Sequence, residues 1–183
     1  MELNINLTEE ISLALYTGLA TDSGCFMFNI TENLHSFCNN LLKNIKLDIE
    51  KINYRLFREK SVNEIKLYGE AIKKMELMFD NKLALFEITE KDFKNTNTSI
   101  DDTNGLVFML SGIKNVNVIC VYSEYEKGVY KVAFRSNNTD VCSLAKLFGG
   151  GGHKFASGCK LYGSKTKVKT KLLEKIKEFL CTE

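Results

Sequence analysis

Four consecutive glycines followed by a histidine, Phe148-Gly149-Gly150-Gly151-Gly152-His153, are the residues whose spacing points most directly to chemistry. Ordering four glycines loses much backbone entropy, and a plain connection could be made with fewer, so the run predicts a close approach to the backbone. Without Cβ atoms, successive N–H groups can converge on an anion, and a helix starting near His153 would add its positive end. Phosphate is the natural guest. His153 could donate to a phosphate oxygen or brace a base, or simply be a satisfied structural histidine. The run itself has a second reading, a tight turn between two helices.

Arg135 weighs toward the anion. It ends the segment VYKVAFR and shares one strand face with Lys131 and Ala133, because alternate strand residues point the same way. Its planar fork suits phosphate, and Ser136 and Asn137 add donors beside it. Asp22, in LATDSG, reads from its neighbours alone as a turn residue that ends a helix.

The elements that must position these groups follow from capping and period. Thr8 caps a helix through EEISLALYTGLA that stops before Asp22, with Ile11, Leu15 and Leu19 recurring every four residues. Asp22 to Asn29 reads as a loop and short strand with Phe26 and Phe28 on one face, and Thr31 caps a second helix through Leu42. Two further helices follow. Ser61 and Glu64 form a capping box, and Val62, Ile65, Tyr68, Ile72, Met75 and Phe79 keep the spacing of one buried face. Near Asp80 the period changes. LALFEI reads as a strand, Thr89 as a helix cap, and a helix is predicted over roughly Asn104 to Ile113. VNVICVY and VYKVAFR should pair as a hairpin about a turn containing Gly128. Asp140 caps a helix through Lys146, GCKLYG is the last strand, and Ser164 starts a terminal helix with Val168, Leu172, Ile176 and Phe179 inward.

The 183 residues carry 25 Lys+Arg against 23 Asp+Glu and are 44% hydrophobic, enough to bury a core. A net charge of +2 argues against a broad basic surface for duplex DNA, so nucleic-acid contact must be local. No apolar run approaches a membrane span and the first residues lack a signal peptide's pattern, which predicts a cytoplasmic protein without membrane contact. The six cysteines form no CxxC pair and read as small buried hydrophobes.

At the arginine strand and the glycine run the sequence resembles a known family. KVAFRS followed by LAKLFGGGGHKFASGC is similar to the signature of the type-1 DHH-associated domain, the C-terminal substrate-binding domain of DHH phosphoesterases. DTNGLV (Asp102 to Val107) resembles the NrnA-like branch, short-RNA nucleases that also dephosphorylate adenosine 3′,5′-bisphosphate. LALYTGLATDSGCFMF resembles the last motif of the catalytic DHH domain, whose aspartate ligates manganese. The sequence departs from the family at Ser157, where alanine is usual, and at Met27, where many relatives have a basic or polar residue. It contains no DHH tripeptide and no DxD.

The resemblance implies an α/β protein in three parts: residues 1–46 as the C-terminal remnant of a DHH domain, 47–80 as a helical connector, and 81–183 as a small mixed-sheet DHH-associated domain. It implies Arg135, Ser136, Gly150, Gly151, Gly152 and His153 as substrate-binding residues and Asp22 as a ligand of Mn2+ in the complete enzyme, a metal this chain alone is not expected to retain. Implied partners are short RNA or a phosphorylated nucleotide, with a possible homodimer through the DHH part. In the family two metals generate the hydroxide that attacks the phosphate, and only one matching ligand stands here. The chain is therefore expected to be a fragment, inactive alone, whose remaining motifs lie upstream or on another chain. Alternatives are a relative acting on single-stranded DNA, cyclic dinucleotides or polyphosphate, and a non-catalytic nucleotide-binding module.

Overall fold

The computed structural model describes residues 7–28, 31–43 and 47–182. The chain divides into two compact units, Met1–Glu59 and Lys60–Glu183, so the helix after Ser61 lies with the sheet that follows it.

The first unit is helical. The Thr8 hydroxyl accepts from the Ile11 N–H (3.3 Å) and opens α1, Glu9–Asp22, with Glu9 and Glu10 in the first turn where the helix dipole favours them. α2 spans Glu32–Lys43, and α3, Ile49–Asn53, runs on into a π-helical turn at Tyr54–Arg58. Tyr16, Ala20 and Leu41 form the centre, and the Tyr16 hydroxyl donates to Asn53 Oδ1 (3.0 Å). Two expectations change here. The buried face of α1 is Ser12, Tyr16 and Ala20, one residue round from Ile11 and Leu15, because the large Tyr16 ring and its bond to α3 take the interior. Residues 23–28 form a turn in place of a strand, with Cys25 and Phe26 left-handed; Asn29 lies outside the described residues.

The second unit is a six-stranded sheet in the order β1-β2-β3-β4-β6-β5. After α4 (Val62–Lys73) come β1 (Glu76–Met78), β2 (Leu83–Ile88), α5 (Glu90–Thr96), a 3-10 turn at Ile100–Asp102 and α6 (Thr103–Leu110). The hairpin β3 (Val118–Glu126) and β4 (Val129–Arg135) follows, then α7 (Val141–Lys146), β5 (Gly151–His153), β6 (Ala156–Tyr162) and α8 (Lys165–Thr182). β2 and β3 are parallel and need the crossover that α5 and α6 supply; the other pairs are antiparallel.

Each face of this sheet has its own core. On one, α7 and α8 bring Val141, Leu144, Val168, Leu172 and Ile176 against Tyr130, Val132, Phe134 and Leu161. On the other, α4, α5 and α6 cover Ala84, Phe86, Ile88, Ile119 and Val121 with Leu67, Phe93 and Leu106. This second cover reaches only as far as β4. Lys131, Ala133 and Arg135 on β4 are half-buried, Ala156 and Gly158 on β6 likewise, and Lys160 and Tyr162 beyond them are exposed. The sheet thus presents an open shelf beside α6.

α4 has the predicted capping box, but of its expected face only Tyr68 is fully buried; Val62 and Ile65 are exposed, while Leu67 and Ala71 enter the core. The helix ends at Lys73 because β1 begins three residues later, and Phe79 sits in a left-handed turn. The expected helix near His153 is absent. The first two glycines instead end α7: Gly149, with φ 74°, donates to the Lys146 carbonyl and Gly150 to that of Ala145, both at 3.0 Å. The last two and His153 are β5, paired with Ser157, Gly158 and Ala156.

Candidate anion-binding site

Alternation along β4 sends Tyr130, Val132 and Phe134 into one core and leaves Lys131 and Arg135 on the shelf. There they line a cavity of about 290 Å³ with Asn104 and Val107 of α6, Gly151 and Gly152 of β5, and Gly158 of β6. Two cations line it and no carboxylate does. Burial lowers the Arg135 pKa from its ordinary value, and its guanidinium donates to the Phe134 carbonyl (2.9 Å). Burial also lowers Lys131, with the like charge of Arg135 adding to it and Asp101 opposing. The Lys131 ammonium donates to Asn104 Oδ1 (3.0 Å). Among the described residues neither cation has a salt-bridge partner. Two partly desolvated cations facing a polar recess are arranged for an anion, since an opposite charge between them would offset their desolvation.

The residues singled out in the sequence fall in different places. Arg135, Gly151 and Gly152 meet at the cavity. Gly151 leaves open space where a Cβ would point, so a ligand can come to the backbone there. Gly152 is held by geometry, with φ 141° and a would-be Cβ 2.6 Å from the Ala156 carbonyl oxygen. Gly150 is packed against Gly158 and Cys159, inside the turn and outside the cavity lining. His153 is exposed at the end of β5 and does not line the cavity. The buried Ser136 hydroxyl is engaged internally: it accepts from the N–H groups of Asn138 (3.2 Å) and Thr139 (2.8 Å) and donates to Asn138 Oδ1 (3.2 Å). It shapes the turn that leads to the Asp140 cap of α7.

Asn104 and Lys131 enter the site without having been singled out as ligand groups. Their signal was present in DTNGLV and in the alternation of KVAFR, but a sequence separation of 27 hides their contact. Ser157, the departure from the family pattern, donates from its hydroxyl to the Val141 carbonyl (2.5 Å) and ties β6 to the start of α7.

Asp22 is exposed at the end of α1. Among the described residues no three His, Cys, Asp or Glu side chains gather as a metal site. A manganese pair needs several such ligands together, so the described residues do not fit that group.

A mixed six-stranded sheet with a cationic, glycine-edged recess on its open face is an α/β domain suited to an anionic ligand. Residues 80–182 match the DHHA1 domain, and the chain belongs to that family. The bifunctional oligoribonuclease and PAP phosphatase NrnA of Mycoplasma pneumoniae is 28% identical over 155 residues, covering 85% of this chain and 47% of that protein. The protein of the same name from Bacillus subtilis is 28% identical over 149 residues, covering 81% and 46%. The crystal structure of an exopolyphosphatase-related protein from Bacteroides fragilis aligns with a TM-score of 0.79 and 29% identity, covering 96% of this chain and 53% of its own. The chain spans about half the length of the curated relatives it matches. Among the described residues no helix is long and apolar enough to cross a membrane.

Proposed function

We propose that this chain binds phosphorylated nucleotides or very short RNA, as the substrate-binding portion of a manganese-dependent DHH phosphoesterase. The substrates of the whole enzyme would be short oligoribonucleotides, adenosine 3′,5′-bisphosphate, or both. The observation that carries this reading is the recess in which Arg135, Lys131 and the Gly151 backbone converge without a carboxylate. The names of the relatives, an oligoribonuclease that is also a PAP phosphatase, support a nucleotide as the ligand. Arg135 would make charge-assisted bonds to one phosphate, with Lys131, steered by Asn104, as a second cation. Asp22 would be one ligand of the manganese, the others coming from residues not gathered here. The reading includes a cytoplasmic location and a homodimer through the N-terminal helices.

A second reading, a nucleotide-binding module without catalysis, is favoured by the lack of a metal-ligand cluster among the described residues. Calorimetry with adenosine 3′,5′-bisphosphate tests the shared element. Saturable binding is expected, and its absence up to millimolar ligand would overturn both readings. Repeating the titration with Mn2+ on a longer protein that also carries the upstream segment separates them, since only the phosphoesterase reading expects that protein to take up the metal and to lose it in Asp22→Ala.

A further inference from the structure

The shelf does not end at the phosphate cavity. β4 and β6 pair in a register that sets Arg135 opposite Ala156, Ala133 opposite Gly158, Lys131 opposite Lys160 and Val129 opposite Tyr162. All these β6 residues share the open face, and the row leads from the cavity to two exposed side chains, Lys160 and Tyr162. Lys160 thus faces Lys131 directly across the strands. Like charges in that position repel and weaken the sheet, yet neither has a salt-bridge partner among the described residues. Elsewhere in the same unit the pattern is the reverse, with Lys165 paired to Glu87 (2.7 Å) and Lys169 to Glu76 (2.5 Å). At the shelf Lys131 and Lys160 face each other across the strands with no carboxylate paired to either among the described residues, and a bound anion would offset their like charge.

Arg135 and Lys131 meet at one cavity, and Lys160 stands across from Lys131 on the neighbouring strand, so the cations form a row that runs on from that cavity. Tyr162 lies two residues past Lys160, about 7 Å further along β6, and is 73% exposed. β5 pairs only with Ala156–Gly158, so the outer edge of β6 has no strand partner from Cys159 onward. A second recess of about 580 Å³ opens there, lined by Lys160, Tyr162, Gly149 and Lys171. A cation followed by an exposed aromatic ring at the mouth of a recess is the arrangement that holds a single-stranded nucleotide, with phosphate on the cation and base on the ring.

We propose that the phosphate cavity continues into a second subsite on β6, where Lys160 contacts the next phosphate of a linear oligonucleotide and Tyr162 stacks on its base. The proposal rests on the reading of the cavity as a phosphate site and sets its preference for ligand length: a trinucleotide reaches Tyr162, a mononucleotide does not.

The test is calorimetry of the full chain with a 5′-phosphorylated adenosine trinucleotide and, in parallel, with adenosine 3′,5′-bisphosphate. Tyr162→Ala should weaken the trinucleotide by roughly fivefold or more, with Tyr162→Phe retaining affinity. Lys160→Ala should reduce the salt dependence of trinucleotide binding by about 0.7 in the log–log slope. Neither should change affinity for the bisphosphate. Both positions are exposed, so folding is retained and circular dichroism checks it. An equal loss for both ligands, or no loss for either, would overturn the second subsite. Arg135→Ala is the control for the underlying reading: it should weaken both ligands, and if it weakens neither, the phosphate assignment itself fails.

Discussion

Gly151 and Gly152 are neighbours on β5 with opposite requirements. A Cβ on Gly151 would point into open space, whereas one on Gly152 would press within 2.7 Å of the Ser157 Cα at a backbone angle of φ 141°. The two positions therefore separate ligand binding from folding. Gly151→Val should melt within about 0.5 kcal/mol of the parent, as surface substitutions do, while losing nucleotide binding because the added methyls occupy the anion's approach. Gly152→Ala should cost about 1 to 3 kcal/mol of stability. Thermal melts and calorimetry on the same preparations check both. A Gly151→Val protein that binds normally would remove the backbone from the site.

Arg135 is expected to trade stability against binding. Its half-buried guanidinium is desolvated and has one backbone acceptor, so Arg135→Ala should leave the melting temperature unchanged or slightly raised. Affinity for adenosine 3′,5′-bisphosphate should fall by about 1.5 to 3 kcal/mol, the size of a charge-assisted hydrogen bond lost. A variant that unfolds would instead show that the guanidinium holds the end of β4.

Much of this fold was legible because its signals are local. The caps at Thr8, Ser61, Thr89 and Asp140 each place a side-chain oxygen on a nearby N–H, and all four are present. LALFEI is β2 residue for residue, and the alternation of VYKVAFR put Lys131 and Arg135 on one face, as they are. What escaped depends on contacts distant in sequence. Glycines carry no alternation, so β5 is visible only through its partner β6. An apolar period shows that a helix has a face but not which side the rest of the chain covers: Val62 keeps the period of α4 and is 71% exposed. The candidate cavity was half legible, since Arg135 and Gly151 were in view while Asn104 and Lys131 meet only once α6 lies beside β4.

The cap of α5 predicts an acid-sensitive fold. Burial would raise the Asp92 pKa, but the Lys74 ammonium and the Thr89 hydroxyl and N–H outweigh it and hold the carboxyl below its ordinary value. A depressed folded pKa stabilises above the unfolded value, about 3.9 for aspartate, and that contribution is lost as pH falls through the folded pKa. Melts should be flat, for this group, from pH 7 to about 5 and decline below about 4. Asp92→Asn should be less stable by about 2 kcal/mol at pH 7, discounted for the partial exposure of Lys74, and show a shallower acid decline. Identical pH profiles for the two proteins would mean that the pair contributes nothing.

The chain as it stands is expected not to hydrolyse phosphoesters. Two-metal catalysis requires a pair of ions a few ångströms apart, each held by several ligands, so that attacking and leaving oxygens are stabilised together. Asp22 is one exposed carboxylate at the end of α1, and among the described residues no group of three His, Cys, Asp or Glu side chains forms. A lone carboxylate leaves Mn2+ mostly hydrated and too mobile to fix a hydroxide in line with a phosphate. Incubation of the purified chain with Mn2+ and a labelled dinucleotide should leave the substrate intact, whether or not the chain binds it. Turnover that disappears in Asp22→Ala would show that a competent site assembles around this residue, with ligands from outside the described residues or from a second copy of the chain.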